Sequence, residues 1–182
     1  MTAYLLDTQG RYPKTGLDCR QIWKAKQVTY CFKGDKYWRF TDRSPSPGYP
    51  KDISNWRGLP KNLDTAFEWG KNENLYFFKD SQYWKYNTAT NSIDSGYPRH
   101  ISAWEGVPSG ADAALQWKNG KTYFFKSGNY WRLNDDTGAV DRSNPPFPRD
   151  SGQWWFGCPK NILTLPFVDG THEDFVEYDM EH

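Results

Sequence analysis

The apolar positions of this chain fall in short blocks of aromatic residues, cut apart by polar turn formers. Thr29-Tyr30-Cys31-Phe32-Lys33 runs into Gly34-Asp35, and Tyr37-Trp38-Arg39-Phe40 follows. The same order returns in Leu75-Tyr76-Phe77-Phe78-Lys79, Asp80-Ser81 and Tyr83-Trp84-Lys85-Tyr86. It returns again in Thr122-Tyr123-Phe124-Phe125-Lys126, Ser127-Gly128 and Tyr130-Trp131-Arg132-Leu133. Rings suit the pleated, half-buried surface of a strand, and a two-residue turn of Gly, Asn, Asp or Ser between two such blocks predicts a β-hairpin. A further strand and a loop of variable length then lead to Tyr49-Pro50, Tyr97-Pro98 and Phe147-Pro148. Beyond the first two prolines, Ile53 and Trp56, like Ile101 and Trp104, stand three apart, which suits one helical turn.

These blocks belong to a larger repeat. Asp18 and Trp23 open it, as do Asp64 and Trp69, and Asp112 and Trp117; Trp-x-Gly-x-Pro closes it at Trp56–Pro60, Trp104–Pro108 and Trp155–Pro159. Anchors kept in one order through three copies predict a repeat architecture. A single small antiparallel sheet cannot bury both faces, so copies must pack face to face, and radial packing about an axis makes an all-β propeller. The copies span residues 17–60, 63–108 and 111–159. Residues 1–16 read as the remnant of a further copy: Tyr4-Leu5-Leu6 and Tyr12-Pro13 remain, but the stretch that would carry Trp-x-Gly-x-Pro is missing. Residues 160–182 carry Asp169, Glu173, Asp174, Glu177, Asp179 and Glu181 and read as an acidic, disordered tail.

Composition narrows the classes. The chain has 182 residues, enough for one domain with a real core. Only 37% of its residues are hydrophobic, but 18% are aromatic, so large rings do the burying that aliphatic side chains usually do. A net charge of +1 sets up no global field toward nucleic acid or membrane, and no stretch approaches the roughly 18 apolar residues of a membrane span. Three cysteines, Cys19, Cys31 and Cys158, form no zinc-binding pattern. Cys19 and Cys31 would meet within a blade if the first two strands brought them into register.

Catalytic chemistry finds little here. His172-Glu173-Asp174-Phe175-Val176 lacks the second His of a zinc-protease helix, where two His four apart must share a face. His100 and His182 alone supply neither a triad nor a convincing pair of haem ligands. Asp18, Asp64 and Asp112 stand where the innermost strands begin. Converging there, they could build an oxygen cage for a hard cation such as calcium, or each could accept backbone N–H bonds at a strand start. The tryptophans and tyrosines, locked to repeat positions, read as core rather than as a sugar or peptide platform. Lys33, Lys79, Lys126, Arg39, Lys85 and Arg132 also recur; their stems could cover the blade faces, or their charges could form an anion- or matrix-binding surface.

The run Asp112-Ala113-Ala114, Thr122–Lys126, Tyr-Trp-Arg, aromatic-Pro and Trp-x-Gly-x-Pro resembles hemopexin-like repeats, above all those at the C-terminal end of matrix metalloproteinases. The resemblance covers residues 17–159, and Gln153–Pro159 is similar to the close of the family's last repeat. It implies a four-bladed β-propeller of which three complete blades and a remnant of the first are present. It implies calcium in the central channel, held largely by backbone carbonyls at Asp18, Asp64 and Asp112 and, two places on, at Arg20, Ala66 and Ala114. It also implies that Cys158 bonds to a cysteine missing from this chain. The function implied is a non-catalytic, extracellular module that binds matrix proteins, protein inhibitors of proteases or a second copy. The alternatives are the end of a zinc endopeptidase whose catalytic domain, and zinc, lie elsewhere, and an adhesion or carrier protein like vitronectin or hemopexin.

Overall fold

The computed structural model describes residues 21–25, 28–41 and 44–158, with side chains from Val28 onward. The expected remnant at 1–16 and the acidic tail at 160–182 lie outside these residues. Within them the chain builds three antiparallel sheets of one design. Blade 1 comprises β1 (Gln21–Ala25), β2 (Val28–Lys33), β3 (Lys36–Thr41), β4 (Ser44–Pro45) and β5 (Lys51–Asp52). Blade 2 comprises β6 (Thr65–Trp69), β7 (Asn74–Lys79), β8 (Gln82–Asn87), β9 (Ser92–Ile93) and β10 (Arg99–His100). Blade 3 comprises β11 (Ala113–Gln116), β12 (Thr122–Lys126), β13 (Asn129–Asn134), β14 (Ala139–Val140) and β15 (Arg149–Asp150). In each blade the third strand pairs at its two ends with two short strands, so the loop carrying the aromatic-Pro anchor bulges between them.

The hairpins fall at the turn formers. Lys33 pairs with Lys36, Lys79 with Gln82 and Lys126 with Asn129, leaving two residues to turn each time. Two 3-10 turns sit where the Ile–Trp spacing puts them, at Ile53–Asn55 and Ile101–Ala103, and blade 3, with Ser151 in place of the Ile, forms a short helix α1 at Ser151–Trp154. Each is capped by the residue before it. The Asp52 carboxylate accepts from Ser54 N–H at 2.9 Å, His100 Nδ1 accepts from Ser102 N–H at 3.2 Å, and Asp150 accepts from Gln153 N–H at 2.7 Å. These bonds satisfy amide donors that a helix start leaves without partners.

One register departs from the repeat. Ala66 stands opposite Phe77 and Ala114 opposite Phe124, which would place Arg20 opposite Cys31; instead Ile22 faces Cys31. The shift is two residues, so the strand keeps its faces. Its cause lies in the connecting turn. Blade 2 turns through Gly70-Lys71-Asn72-Glu73, with Glu73 at φ +53°, whereas blade 1 has Lys24-Ala25-Lys26-Gln27 there. Without Gly or Asn to stop them, β1 and β2 pair as far as Ala25 and Val28.

The blades pack through two aromatic cores. The first joins Phe32, Tyr37, Ile53 and Trp56 of blade 1 to Leu75, Phe77, Trp84 and Tyr86 of blade 2. The second joins Phe67, Tyr76, Phe78, Tyr83 and Trp104 of blade 2 to Phe124 and Leu133 of blade 3. Each blade thus turns a leading face toward its successor and a trailing face toward its predecessor. Edge-on contacts cross the boundaries: Phe32 to Phe77 at 5.4 Å and 83°, Phe67 to Phe124 at 5.5 Å and 89°. Such pairs add about 0.5–1.5 kcal/mol beyond their area. Glycine completes the fit, since a Cβ on Gly58 would lie 3.2 Å from Ile93 and one on Gly106 would lie 3.1 Å from Val140.

Candidate functional site

Sequence reasoning points first to the inner strands. β1, β6 and β11 are neighbours, so the starts of the blades converge there. Asp18 and Arg20 lie outside the described residues; Asp64, Ala66, Asp112 and Ala114 do not. Asp64 N–H donates to Phe78 O at 2.8 Å, and Asp112 N–H to Phe125 O at 2.8 Å. The carboxylates reach back over their own hairpins: Asp64 accepts from the N–H of Asp80, and Asp112 from that of Ser127 at 2.8 Å. Both side chains are therefore engaged in closing a turn of their own blade. Ala66 and Ala114, 2% and 9% exposed, are small enough for the inner strands to approach closely. Among the described residues, no three His, Cys, Asp or Glu side chains cluster as metal ligands.

The recurring cations are also engaged locally. Lys85 pairs with Asp94 at 2.7 Å and Arg132 with Asp141 at 2.7 Å, each tying the third strand to the segment after the short strand beside it. The hydrogen bond to Asp94 raises the Lys85 pKa above its ordinary value. Arg39 donates to Ser46 Oγ at 3.1 Å. Lys79 donates to Asn62 O at 3.3 Å and Lys126 to Ser109 O at 2.6 Å, while Lys33 is exposed. The rings of blades 1 and 2 lie largely in the two cores, as their repeat-locked positions imply, while Trp117, Tyr123, Phe125, Tyr130 and Trp155 pack against one another within blade 3. His100 is occupied in capping its turn and also lies 2.9 Å from Ser102 Oγ.

A second set of cations went unmarked in the sequence. Each aromatic-Pro anchor is followed by a basic residue, and that residue folds back over the ring: Lys51 over Tyr49 at 4.9 Å, Arg99 over Tyr97 at 4.8 Å and Arg149 over Phe147 at 4.4 Å. The signal was present as aromatic-Pro-basic in all three copies. Lys51 and Arg99 are exposed, so these rims carry charge on a fixed aromatic seat. Of the cysteines, Cys31 is 1% exposed and disulfide-bonded, and Cys158 is a half-buried free thiol. Cys19, which would meet Cys31 if the first two strands brought them into register, lies outside the described residues.

The hemopexin family model matches the chain three times, at residues 22–61, 63–109 and 112–158. The chain belongs to the hemopexin family. Vitronectin of Oryctolagus cuniculus is 45% identical over 64 residues, covering 32% of this chain and 14% of that protein. Matrix metalloproteinase-2 of Drosophila melanogaster is 38% identical over 77 residues, 40% of this chain and 10% of that protein. Interstitial collagenase A of Mus musculus is 39% identical over 71 residues, 37% of this chain and 15% of that protein. The matched stretch thus spans a small part of these relatives. Among solved structures, the hemopexin fold protein CP4 from cow pea shares the fold with a TM-score of 0.63 at 20% identity, covering 85% of this chain and 76% of that one. A plant lectin from Cicer arietinum aligns with a TM-score of 0.64 at 18% identity, covering 82% and 74%.

Proposed function

We propose that this chain is a non-catalytic binding module that works outside the cell, where it holds extracellular-matrix proteins, and protein inhibitors of proteases, against the loops and rims of its blades. One observation carries the reading. Most residues locked to the repeat are taken up by the scaffold: the rings of blades 1 and 2 largely in the cores, Asp64 and Asp112 in hairpins, Lys85 and Arg132 in ion pairs within a blade. What is left to meet a partner is a rigid surface with exposed loops and seated cations, which is the equipment of recognition rather than of bond-breaking. Likeness to an interstitial collagenase and to a matrix metalloproteinase supports a proteinase parent whose zinc domain lies in another part of the protein. Likeness to vitronectin supports the adhesion reading, in which no such domain exists.

Calcium belongs to this proposal as a structural ion between the inner strands, held by main-chain carbonyls at Asp64, Ala66, Asp112 and Ala114 together with Asp18 and Arg20. Its role would be to tie the blades at their common centre. The name of the collagenase relative suggests the first ligand to try. With the chain immobilised and collagen titrated over it at physiological salt, saturable binding is expected. Absence of saturable binding to collagen and to other matrix proteins would overturn the reading.

A further inference from the structure

Each blade ties its third strand to the segment beyond the short strand beside it, through the same main-chain bond three times. Ser46 N–H donates to Arg39 O at 2.7 Å, Asp94 N–H to Lys85 O at 2.9 Å and Asp141 N–H to Arg132 O at 2.8 Å. Ser46, Asp94 and Asp141 therefore hold one position of the repeat, and Arg39, Lys85 and Arg132 another. In blades 2 and 3 the two positions form an ion pair, Lys85 with Asp94 and Arg132 with Asp141, each at 2.7 Å. Blade 1 keeps the cation and has a serine where the carboxylate stands in its sisters. Among the described residues, Arg39 donates to the Ser46 hydroxyl at 3.1 Å and pairs with no carboxylate. That hydroxyl also lies 3.4 Å from Thr41 Oγ1.

Neighbouring groups do not supply the missing charge. The described carboxylates of blade 1 serve other cations, Asp52 at 3.0 Å from Lys36 and Asp35 at 3.7 Å from Lys61. A second cation borders the same ring: Lys51 lies 4.9 Å over Tyr49. Burial raises the Tyr49 pKa, and Arg39 is near enough to work against that rise. The serine itself is open to chemistry. Ser46 is followed by Pro47 and preceded by Ser44-Pro45, whereas Asp94 and Asp141 are followed by Ser95 and Arg142. Ser44, Pro45, Pro47 and Gly48 are exposed. Neither proline has an N–H to donate. The main-chain hold on this stretch is the short pairing of β4 with β3 and the Ser46 N–H bond, a weak anchorage that lets it open into an enzyme cleft.

We propose that Ser46 is a phosphorylation site, whose phosphate takes against Arg39 the place that Asp94 and Asp141 hold in the other two blades. The donor is ATP, and the enzyme is a serine kinase that reads a following proline. Ser46 Oγ attacks the γ-phosphorus: the Oγ–P bond forms, the bond to the bridging β-phosphate oxygen breaks, ADP leaves, and the hydroxyl proton passes to the base of the kinase. The product carries about two negative charges and several oxygens that a guanidinium can bind in pairs. A loop held to Arg39 through a neutral hydroxyl is then locked as its sisters are, and the basic rim at Arg39 and Lys51 is neutralised. Transfer before export keeps the modification compatible with a module that works outside the cell. Its test is separate from that of the binding reading, since a chain that never meets collagen could still carry the phosphate.

Incubation of the full 182-residue chain with ATP and a proline-directed serine kinase tests it. Tandem mass spectrometry is expected to find phosphate on Ser46. Phosphorus NMR then reads the contact with Arg39: the phosphate should titrate about one unit below its ordinary value near 6, and at that ordinary value in Arg39→Gln. Ser46→Asp needs no kinase and should raise the melting temperature beside Arg39 but not beside Arg39→Gln. A folded chain that takes no phosphate, or takes it on Ser44 alone, overturns the proposal. So does a phosphate that titrates alike with and without Arg39, or a Ser46→Asp chain whose melting is indifferent to Arg39.

Discussion

Trp69 of blade 2 donates its indole N–H to Asp135 of blade 3 at 2.7 Å, and the same carboxylate accepts from Thr122 Oγ1 at 2.6 Å and Thr122 N–H at 3.0 Å. One side chain therefore joins two blades and satisfies a threonine that is 0% exposed. Asp135→Ala leaves Thr122 with donors in a dry place, where each unsatisfied group costs about 1–3 kcal/mol. Urea unfolding is expected to show a loss of that order. In a double-mutant cycle with Trp69→Phe the two losses should fall short of adding, because they share one bond.

The two closing tryptophans that differ in their surroundings should differ in worth. Trp104 is 4% exposed and buried between blades, so Trp104→Ala should cost about 3–5 kcal/mol, the range for large core aromatics. Trp155 is only half-buried and packs within its own blade, so Trp155→Ala measured at low protein concentration should cost clearly less. Equal losses by denaturant titration would contradict the difference between the two faces.

Alkaline pH should loosen the fold through its tyrosines. Burial raises the Tyr97 pKa to about 12, with Tyr83 and Tyr76 adding to the effect, and burial also raises Tyr49, Tyr76 and Tyr86. A folded-state pKa above the unfolded value means the folded chain holds its protons longer. The resulting stability is whole below about pH 10, the ordinary tyrosine value, and is lost as pH rises through the folded pKa. Tyrosinate absorbance is expected to lag behind that of free tyrosine and then to rise together with loss of the fold. Tyr97→Phe should delay that loss.

Calcium should raise the melting temperature modestly, since an ion bound only by the folded state stabilises it by mass action. Scanning calorimetry in excess calcium and in excess chelator gives the comparison. Because Asp64 and Asp112 already close hairpins, Asp112→Asn should lower the melting point by a similar amount in both solutions. A shift in melting that vanishes with Asp112→Asn would place the carboxylate, rather than main-chain oxygens, on the ion.

The repeat was readable because packing is periodic: the blades need a Phe at 77 and 124, a Trp at 56, 104 and 155, and a Gly two places beyond each of those tryptophans. Hairpins, helical turns and the radial stacking of sheets follow from that pattern alone. Features that break the period were hidden. Asp135 stands where blade 2 has Thr88, so its cross-blade bond leaves no recurring trace. The displaced register of β1 arises from turn residues that are absent rather than present. The fates of Asp64 and Lys85 were undecidable because a recurring charge looks the same whether it binds a ligand or closes a turn. The seated cations at Lys51, Arg99 and Arg149 did recur and were open to notice.

Among the described residues, blade 2 alone is clasped on both sides, by Phe32 and Trp56 from one neighbour and by Phe124 and Leu133 from the other. When stability comes in such nearest-neighbour steps, peeling an end sheet breaks one seam, whereas releasing the middle one breaks two. Amide protons of β7 are therefore the last to trade with solvent, and those of the end sheets go first. A lesion in the middle sheet is felt along the whole row, while one at either end stays local, so damage to this molecule is graded by position before it is graded by chemistry.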